Sequence, residues 1–353
     1  MSDMWHARRP ICWQWLRLKT GIRPEAYWFA QKLKQPELLW QERQNLKKFN
    51  DGKRSVASDK RLLPLLLVWA EPTVAESLVP EHLHWTGSGE TPVAFHRSSW
   101  TDPKASFVAI KGGSPSVGHA HMDVGQFVME SDGVRWAVDL GTQPYHELEA
   151  AGLNIWGKVD RWKVFRFGNM SHSVLVLDEQ PQVIEGAAAI VDSESNGMLS
   201  YSIIDSSELY GGQLKSAHRG VALHPNGAVQ IEDQIETLQK QAEVRWAMVT
   251  YAKVTIESAR RATLRQDGEV LSLEVVAPVD VQLEIFEIAQ PPNDYDTPNP
   301  GAKMIGFTLS LKPSAKETHI RVVLIPGGPD AAGQNFPAMT DWNSSPTSDD
   351  SPL

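Results

Sequence analysis

Residues 112–141 read GGSPSVGHAHMDVGQFVMESDGVRWAVDLG. The stretch opens on a Gly-rich loop and then sets His119 and His121 one residue apart. Side chains of a strand alternate between faces, so an i, i+2 pair on a strand points one way. Two apolar runs follow, QFVME and VRWAVDL, joined by Ser131, Asp132 and Gly133. Alternating runs around an Asp-Gly pair predict a β-hairpin. Asp139 closes its second strand, and His172 stands where NMSH leads into SVLVLD. Imidazole and carboxylate groups at neighbouring strand ends make a donor set suited to zinc, iron or manganese. Asp123 falls on the His121 face by alternation and competes with Asp139 for the carboxylate position.

The same pattern of short runs continues outward. TPVAFHRSSW and SFVAIKGG precede the hairpin; VALHPNGAVQIEDQI, AEVRWAMVTYAKVTI, ATLRQDGEVLSLEVV, VQLEIFEI, GFTLSLKP and HIRVVLIP follow it. Asn226-Gly227 and Asp267-Gly268 are further hairpin signals. Strands in such number without intervening helices predict a mainly β protein, a large antiparallel β-sandwich over residues 84–326. Residues 1–83 read as a helical segment, with Pro36 opening one helix and residues 62–70 forming another, buried one. Residues 327–353, rich in Gly, Pro, Ser and Asp, predict a disordered tail.

One connection is too long for a turn. Residues 145–167 carry Arg161, Trp162 and Arg166 as RWKVFR. Long loops in compact domains are usually functional. The guanidinium groups offer a fork for a carboxylate or sulfate, and Trp162 a platform for a sugar. The plainer alternative is a loop packed on its own aromatics. Tyr145, near the histidines, is a candidate general acid or base. Arg219, Asp233 and Trp246 read as sandwich structure.

The 353 residues carry a net charge of −9, which argues against a nucleic-acid partner. Thirteen tryptophans lean toward carbohydrate. The single cysteine, Cys12, excludes an internal disulfide framework and a Cys-based zinc site. The longest apolar run, residues 62–70, is too short to span a membrane, so no membrane insertion is expected. ICWQWL near the start is too short and too polar for a signal-peptide core, so no export signal is read in the chain.

These motifs together resemble the heparinase II/III-like polysaccharide lyases, which include oligo-alginate lyases. The matching parts are Arg97-Ser98-x-Trp100, Lys111-Gly112-Gly113, Gly118-His119-x-His121-x-Asp123-x-Gly125, Asp139-Leu140-Gly141 and His172 before a Val/Leu strand. The likeness runs over about residues 62–326. It implies an α/α toroid followed by an antiparallel sandwich, so the few helices here would be the remnant of a toroid. It implies structural zinc held by His121, Asp139 and His172, with His119 facing the substrate cleft. The implied reaction is β-elimination on an anionic, uronic-acid-containing polysaccharide, heparan-like or alginate-like; Tyr145, Arg161, Trp162 and Arg166, read from the long connection itself, are the further site candidates. The implied location is the periplasm or cell envelope.

One departure stands out. The family takes most of its catalytic side chains from the toroid, and only Tyr27 lies in the helical part, in surroundings that match no catalytic motif. The chain is therefore expected to be the C-terminal part of a lyase, catalytically weak or inactive by itself without a toroid. Two rival readings remain. In a cupin-type metal enzyme Gln126 would stand where a glutamate ligand is required. The other rival is a non-catalytic carbohydrate-binding sandwich.

Overall fold

The computed structural model describes residues 23–50, 60–70, 79–195, 199–238, 241–313, 317–328 and 336–343. Expectations for residues 1–22 fall outside that set. The described residues fall into two compact units, one before and one from His84. No described helix is long and apolar enough to cross a membrane.

The first unit is helical. Helix α1 (Pro24–Leu33) ends where Lys34 turns left-handed at φ 55° and its N–H reaches back to the carbonyls of Ala30 and Gln31. Pro36 then opens a 3-10 turn that runs into α2 (Trp40–Asn50). A second 3-10 turn (Lys60–Leu65) leads into the one-turn α3 (Leu66–Trp69). Tyr27, Ala30 and Leu39 form a small core, against which Leu66, Trp69 and Ala70 pack. The buried helix expected over residues 62–70 needs correction. Pro64 sits inside the 3-10 turn, and Leu67 and Val68 are 90% and 73% exposed. So short a turn can bury only one of its sides.

The second unit is an antiparallel sandwich, as the sequence pattern predicts. Five strands form a meander in chain order: β1 (His84–Gly87), β2 (Val93–Arg97), β3 (Phe107–Lys111), β4 (Phe127–Ser131) and β5 (Val134–Ala137). The β4–β5 hairpin closes through Asp132 and Gly133 alone, both at positive φ (54° and 76°). That is the backbone a type I′ turn demands, and an Asp-Gly pair supplies it with least strain. The Asp267-Gly268 pair does the same between β13 (Arg261–Gln266) and β14 (Glu269–Ala277).

After the short β6 (Val176–Leu177) come β7 (Ala189–Ser195), β8 (Ser200–Asp205), β9 (Leu214–Leu223) and β10 (Val229–Thr237). Then follow β11 (Ala242–Thr250), β12 (Lys253–Ser258), the β13–β14 pair, β15 (Glu284–Glu287), β16 (Lys303–Leu311) and β17 (Thr318–Pro326). Eight strands make one sheet in the order β12-β13-β14-β17-β10-β9-β8-β7. Four make another, β15-β16-β11-β6. A continuous core joins Ile110, Phe127 and Trp136 of the meander, Trp246 and Phe307 of the four-stranded sheet, and Ile231 and Val322 of the eight-stranded sheet. The Trp246 ring lies between Phe127 and Phe307, at 6.2 and 5.8 Å. Just past β5, the Val138 N–H donates to the Val249 carbonyl of β11 at 3.0 Å. The two smaller sheets therefore meet one residue before Asp139.

A buried ion pair ties the large sheet to this junction. Arg219 (β9) and Asp233 (β10) face each other in register and bond twice, at 2.6 and 3.0 Å. Arg219 Nη1 also donates to the carbonyls of Gly125 and Ser173. Those carbonyls lie on the segments that carry His121 and His172. The sequence reading of these residues as sandwich structure agrees with this.

The disordered tail expected over 327–353 is corrected for residues 336–343. Trp342 is buried and packs with Met339 against Tyr201 and Ala222. The seat is Gly220, where a Cβ would lie 2.4 Å from the indole and 2.7 Å from the Met339 sulfur. Arg321 Nη1 and Gln230 Nε2 donate to the carbonyls of Phe336 and Pro337. Composition could not reveal that a glycine on a distant strand leaves room for this tryptophan.

Candidate active site and metal centre

The loop after β3 is shaped by its glycines. Gly113 sits at φ +100°, and a Cβ there would meet the Glu90 carbonyl at 2.9 Å. With no side chain in the way, Gly113 exchanges two backbone hydrogen bonds with Ala188, each 2.8 Å. The Lys111 ammonium turns inward and pairs with Asp123 at 2.5 Å, both side chains buried. A buried carboxylate requires such a partner. Asp123, the competitor for the carboxylate position, is thus engaged by Lys111.

His119 and His121 are not a strand pair. The segment is a loop, and His119 adopts a left-handed backbone at φ 66°. That conformation breaks the pleat, so the expected common face does not form. His119 turns to Tyr145 and Trp156; His121 goes into the interior, 1% exposed, against Phe167. A non-glycine residue at positive φ costs roughly 1 kcal/mol or more and persists only where surrounding contacts hold it.

Arg161 supplies those contacts. Its Nε and Nη2 donate to the Ala120 carbonyl, at 3.0 and 2.6 Å, and Nη1 to that of Ile155 at 3.4 Å. The residue between the two histidines is thus clamped. Arg161 Nη2 also lies 3.4 Å from the Tyr145 hydroxyl. The Met122 N–H donates to the Phe167 carbonyl at 2.8 Å, a second tie between the two loops.

Tyr145 opens helix α4 (Tyr145–Ala150), directly after Pro144. The rest of the long connection folds on Leu148, Ile155, Val164 and Phe167. The His119 and Tyr145 rings are parallel within 10°, centroids 5.6 Å apart, with Nδ1 3.1 Å from the phenolic oxygen. Trp156 stands edge-on to both, at 5.2 Å from each, and is 61% exposed. Sequence reasoning missed it. The available signal was a tryptophan followed by Gly157 and Lys158 in the middle of the long connection.

Trp162 and Arg166 do not join this cluster in the same way. The Trp162 Nε1 is buried without a partner. Arg166 donates to the Asn299 side chain at 2.9 Å and to the carbonyls of Thr142 and Pro298 at 3.0 and 3.2 Å. Its guanidinium thereby pins the connection to the loop before β16.

The three expected metal ligands lie toward the interior, with His121 and His172 buried. Asp139 Oδ2 is 2.8 Å from His172 Nδ1, and its Oδ1 accepts the Gly141 N–H at 2.6 Å. Burial works against charge on both partners. Their mutual attraction and hydrogen bond prevail, holding the Asp139 carboxyl well below the usual range and the His172 imidazole above its own. The His121 ring lies 5.6 Å from that of His172. Burial pushes the His121 pKa down to about 3, so this imidazole is neutral.

Among the described residues no three His, Cys, Asp or Glu side chains already converge as a metal set. Yet the Nε2 atoms of both His121 and His172 are buried without a hydrogen-bond partner. Buried polar atoms left unsatisfied call for a cause. Two neutral-capable imidazoles and an ionised carboxylate fit the donor chemistry of zinc. Gln126 is a brace instead of a ligand: Nε2 donates to the Val138 carbonyl and Oε1 accepts the Ser173 N–H. The cupin reading, which needs a ligand at this position, loses its support.

Comparison with known proteins agrees with this architecture. No curated protein sequence matches the chain. Among solved structures, the heparan sulfate lyase HepC from Pedobacter heparinus superposes with a TM-score of 0.61 at 15% identity, covering 89% of this chain and 44% of that one. The heparinase III-BT4657 gene product gives 0.59 at 15% identity, covering 86% and 43%. A further heparinase III gives 0.54 at 13% identity, covering 67% and 36%. The chain thus spans under half the length of these lyases, and at such identity the likeness is one of fold. The family model for the heparinase II/III-like C-terminal domain matches residues 94–320, and the chain belongs to that family.

Proposed function

We propose that this chain is the sandwich part of a polysaccharide lyase that cleaves a uronic-acid glycan by β-elimination. The observation that carries the reading is the His119–Tyr145 pair, hydrogen-bonded at 3.1 Å on a partly exposed loop. In β-elimination the C5 proton leaves and the 4-O-glycosidic bond breaks, giving an unsaturated uronate. The C5 proton is weakly acidic, so a positioned base and acid are required. Tyr145 is the group placed to exchange a proton at its phenolic oxygen. His119 Nδ1 orients that oxygen and shares its proton, and Arg161 Nη2 fixes it from another side. Arg161 and Arg166 are engaged with protein acceptors, so their part is to hold the loops in place.

Zinc would be held by His121, Asp139 and His172, in keeping with the two unpartnered Nε2 atoms. Bound there it would supply a structural crosslink between three segments, and no chemistry. The reading carries with it a working place in the periplasm or cell envelope, as the family resemblance implies.

The test is to incubate the chain with heparan-like and alginate-like polymers and follow unsaturated uronate by its ultraviolet absorbance. Slow formation of product from one of the two classes is expected, since the family takes most of its catalytic side chains from the toroid. Glycan binding with no product from any uronate polymer would leave a non-catalytic carbohydrate-binding sandwich in its place.

A further inference from the structure

We propose that Trp156 is a stacking platform for a sugar ring beside the His119–Tyr145 pair, on a lip suited to carboxylates and not to dense sulfate. This rests on the lyase reading above and adds a subsite to it.

An exposed aromatic alone needs no explanation. Trp156 is more than that, because its orientation is fixed. Its Nε1 donates to Glu149 Oε1 at 2.9 Å, which uses the only polar atom of the indole. Its plane stands at 84° to the His119 ring and 86° to the Tyr145 ring. The parallel His119 and Tyr145 rings form one wall of a corner, and the indole forms the other. A pyranose presents an apolar face of C–H groups, and a fixed aromatic surface takes such a face at little entropic cost.

The cationic donors of the long connection are largely committed to partners within the protein. Residues 145–172 contain four cations, Lys158, Arg161, Lys163 and Arg166. Arg161 and Arg166 are held by protein acceptors. Lys163 pairs with Asp160 at 2.8 Å. Lys158 pairs with Glu185 at 3.4 Å, and both side chains are highly exposed, 83% and 68%. So open an ion pair is weak, and Lys158 is the cation a ligand recruits most easily. One loosely held ammonium two residues from Trp156 answers one carboxylate. A run of sulfate groups is recognised by clustered, uncommitted Arg and Lys, and Glu149 beside the indole would repel it.

The experiment is calorimetric titration of the full chain with a short unsulfated polyuronate and, separately, a heavily sulfated uronate oligosaccharide. The unsulfated ligand is expected to bind more tightly. Trp156→Ala should weaken it about tenfold and Trp156→Phe much less, with the melting temperature unchanged. Equal affinity of Trp156→Ala and wild type, tighter binding of the sulfated ligand, or binding of neither, would overturn the inference. Unsaturated product is followed in the same samples. Trp156-dependent binding without product would fail the lyase reading alone; product from sulfated glycans only would fail the specificity alone.

Discussion

Arg161 and Ala120 are joined by two hydrogen bonds, from Nε and Nη2 to one carbonyl, at 3.0 and 2.6 Å. Ala120 is the residue between His119 and His121, so this contact holds two histidines facing different ways. His119 is turned to the surface pair with Tyr145, and His121 to the interior beside His172. One guanidinium thereby separates the proposed catalytic pair from the proposed metal ligands, although only a single residue parts the two histidines in the chain.

The buried ion pair beneath this junction should dominate stability. Arg219→Ala leaves Asp233 buried without its partner and frees the carbonyls of Gly125 and Ser173. The expected cost is about 3–5 kcal/mol. Urea denaturation measures it; a loss below about 1 kcal/mol would mean water replaces the guanidinium.

His96 should make the sandwich sensitive to acid. It sits on β2 with Nε2 2.9 Å from the Ser202 hydroxyl of β8, and its Nδ1 is buried without a partner. Burial, with a smaller push from His84, lowers its pKa from 6.5 to about 3. The unfolded chain therefore takes up this proton first as pH falls. Stability from this group is intact above about pH 6.5 and is lost between there and about pH 3, at up to about 1.4 kcal/mol per pH unit. Thermal melts across that window should decline less steeply for His96→Gln than for wild type. Equal slopes would assign the acid sensitivity elsewhere.

The C-terminal segment should depend on a missing side chain. Gly220→Ala places a methyl group where Trp342 packs, 2.4 Å from its ring. Release of residues 336–343 is expected, at about 2–4 kcal/mol. Limited proteolysis should then trim the C-terminus faster. Trp342→Ala should do the same, and the double substitution should add little, since both remove one contact. Full additivity would show that the two act separately.

Much of this fold was legible in the sequence. The Asp132-Gly133 and Asp267-Gly268 hairpins follow from residue types that tolerate positive φ, and the sandwich follows from alternating runs. Strands β7 and β8 were not read, because AIVDSES and SYSIID mix apolar and polar residues without sustained alternation; β7 lies at the edge of its sheet, where one side need not be buried. The left-handed backbone of His119 was equally hidden. It depends on Arg161, about forty residues away, and strand alternation taken alone gives the wrong face. Trp156 lies beside His119 and Tyr145 only because the long connection folds back on Leu148 and Phe167.

The inner site should respond to metal. Elemental mass spectrometry of the purified chain should find about one zinc, absent from His121→Ala. Chelation should lower the melting temperature by about 5–10 °C, because the ligand stabilises only the folded state. A metal-free wild-type chain that melts at the same temperature with and without chelator would leave the Asp139–His172 pair as a hydrogen bond alone.

The most direct test of the surface pair is Tyr145→Phe, which keeps the ring and its packing and removes one oxygen. Formation of unsaturated uronate by the wild-type chain should fall at least about a hundredfold in the variant, with KM and melting temperature little changed. A phenylalanine variant that turns over at the wild-type rate would contradict the assignment of the proton transfer to Tyr145.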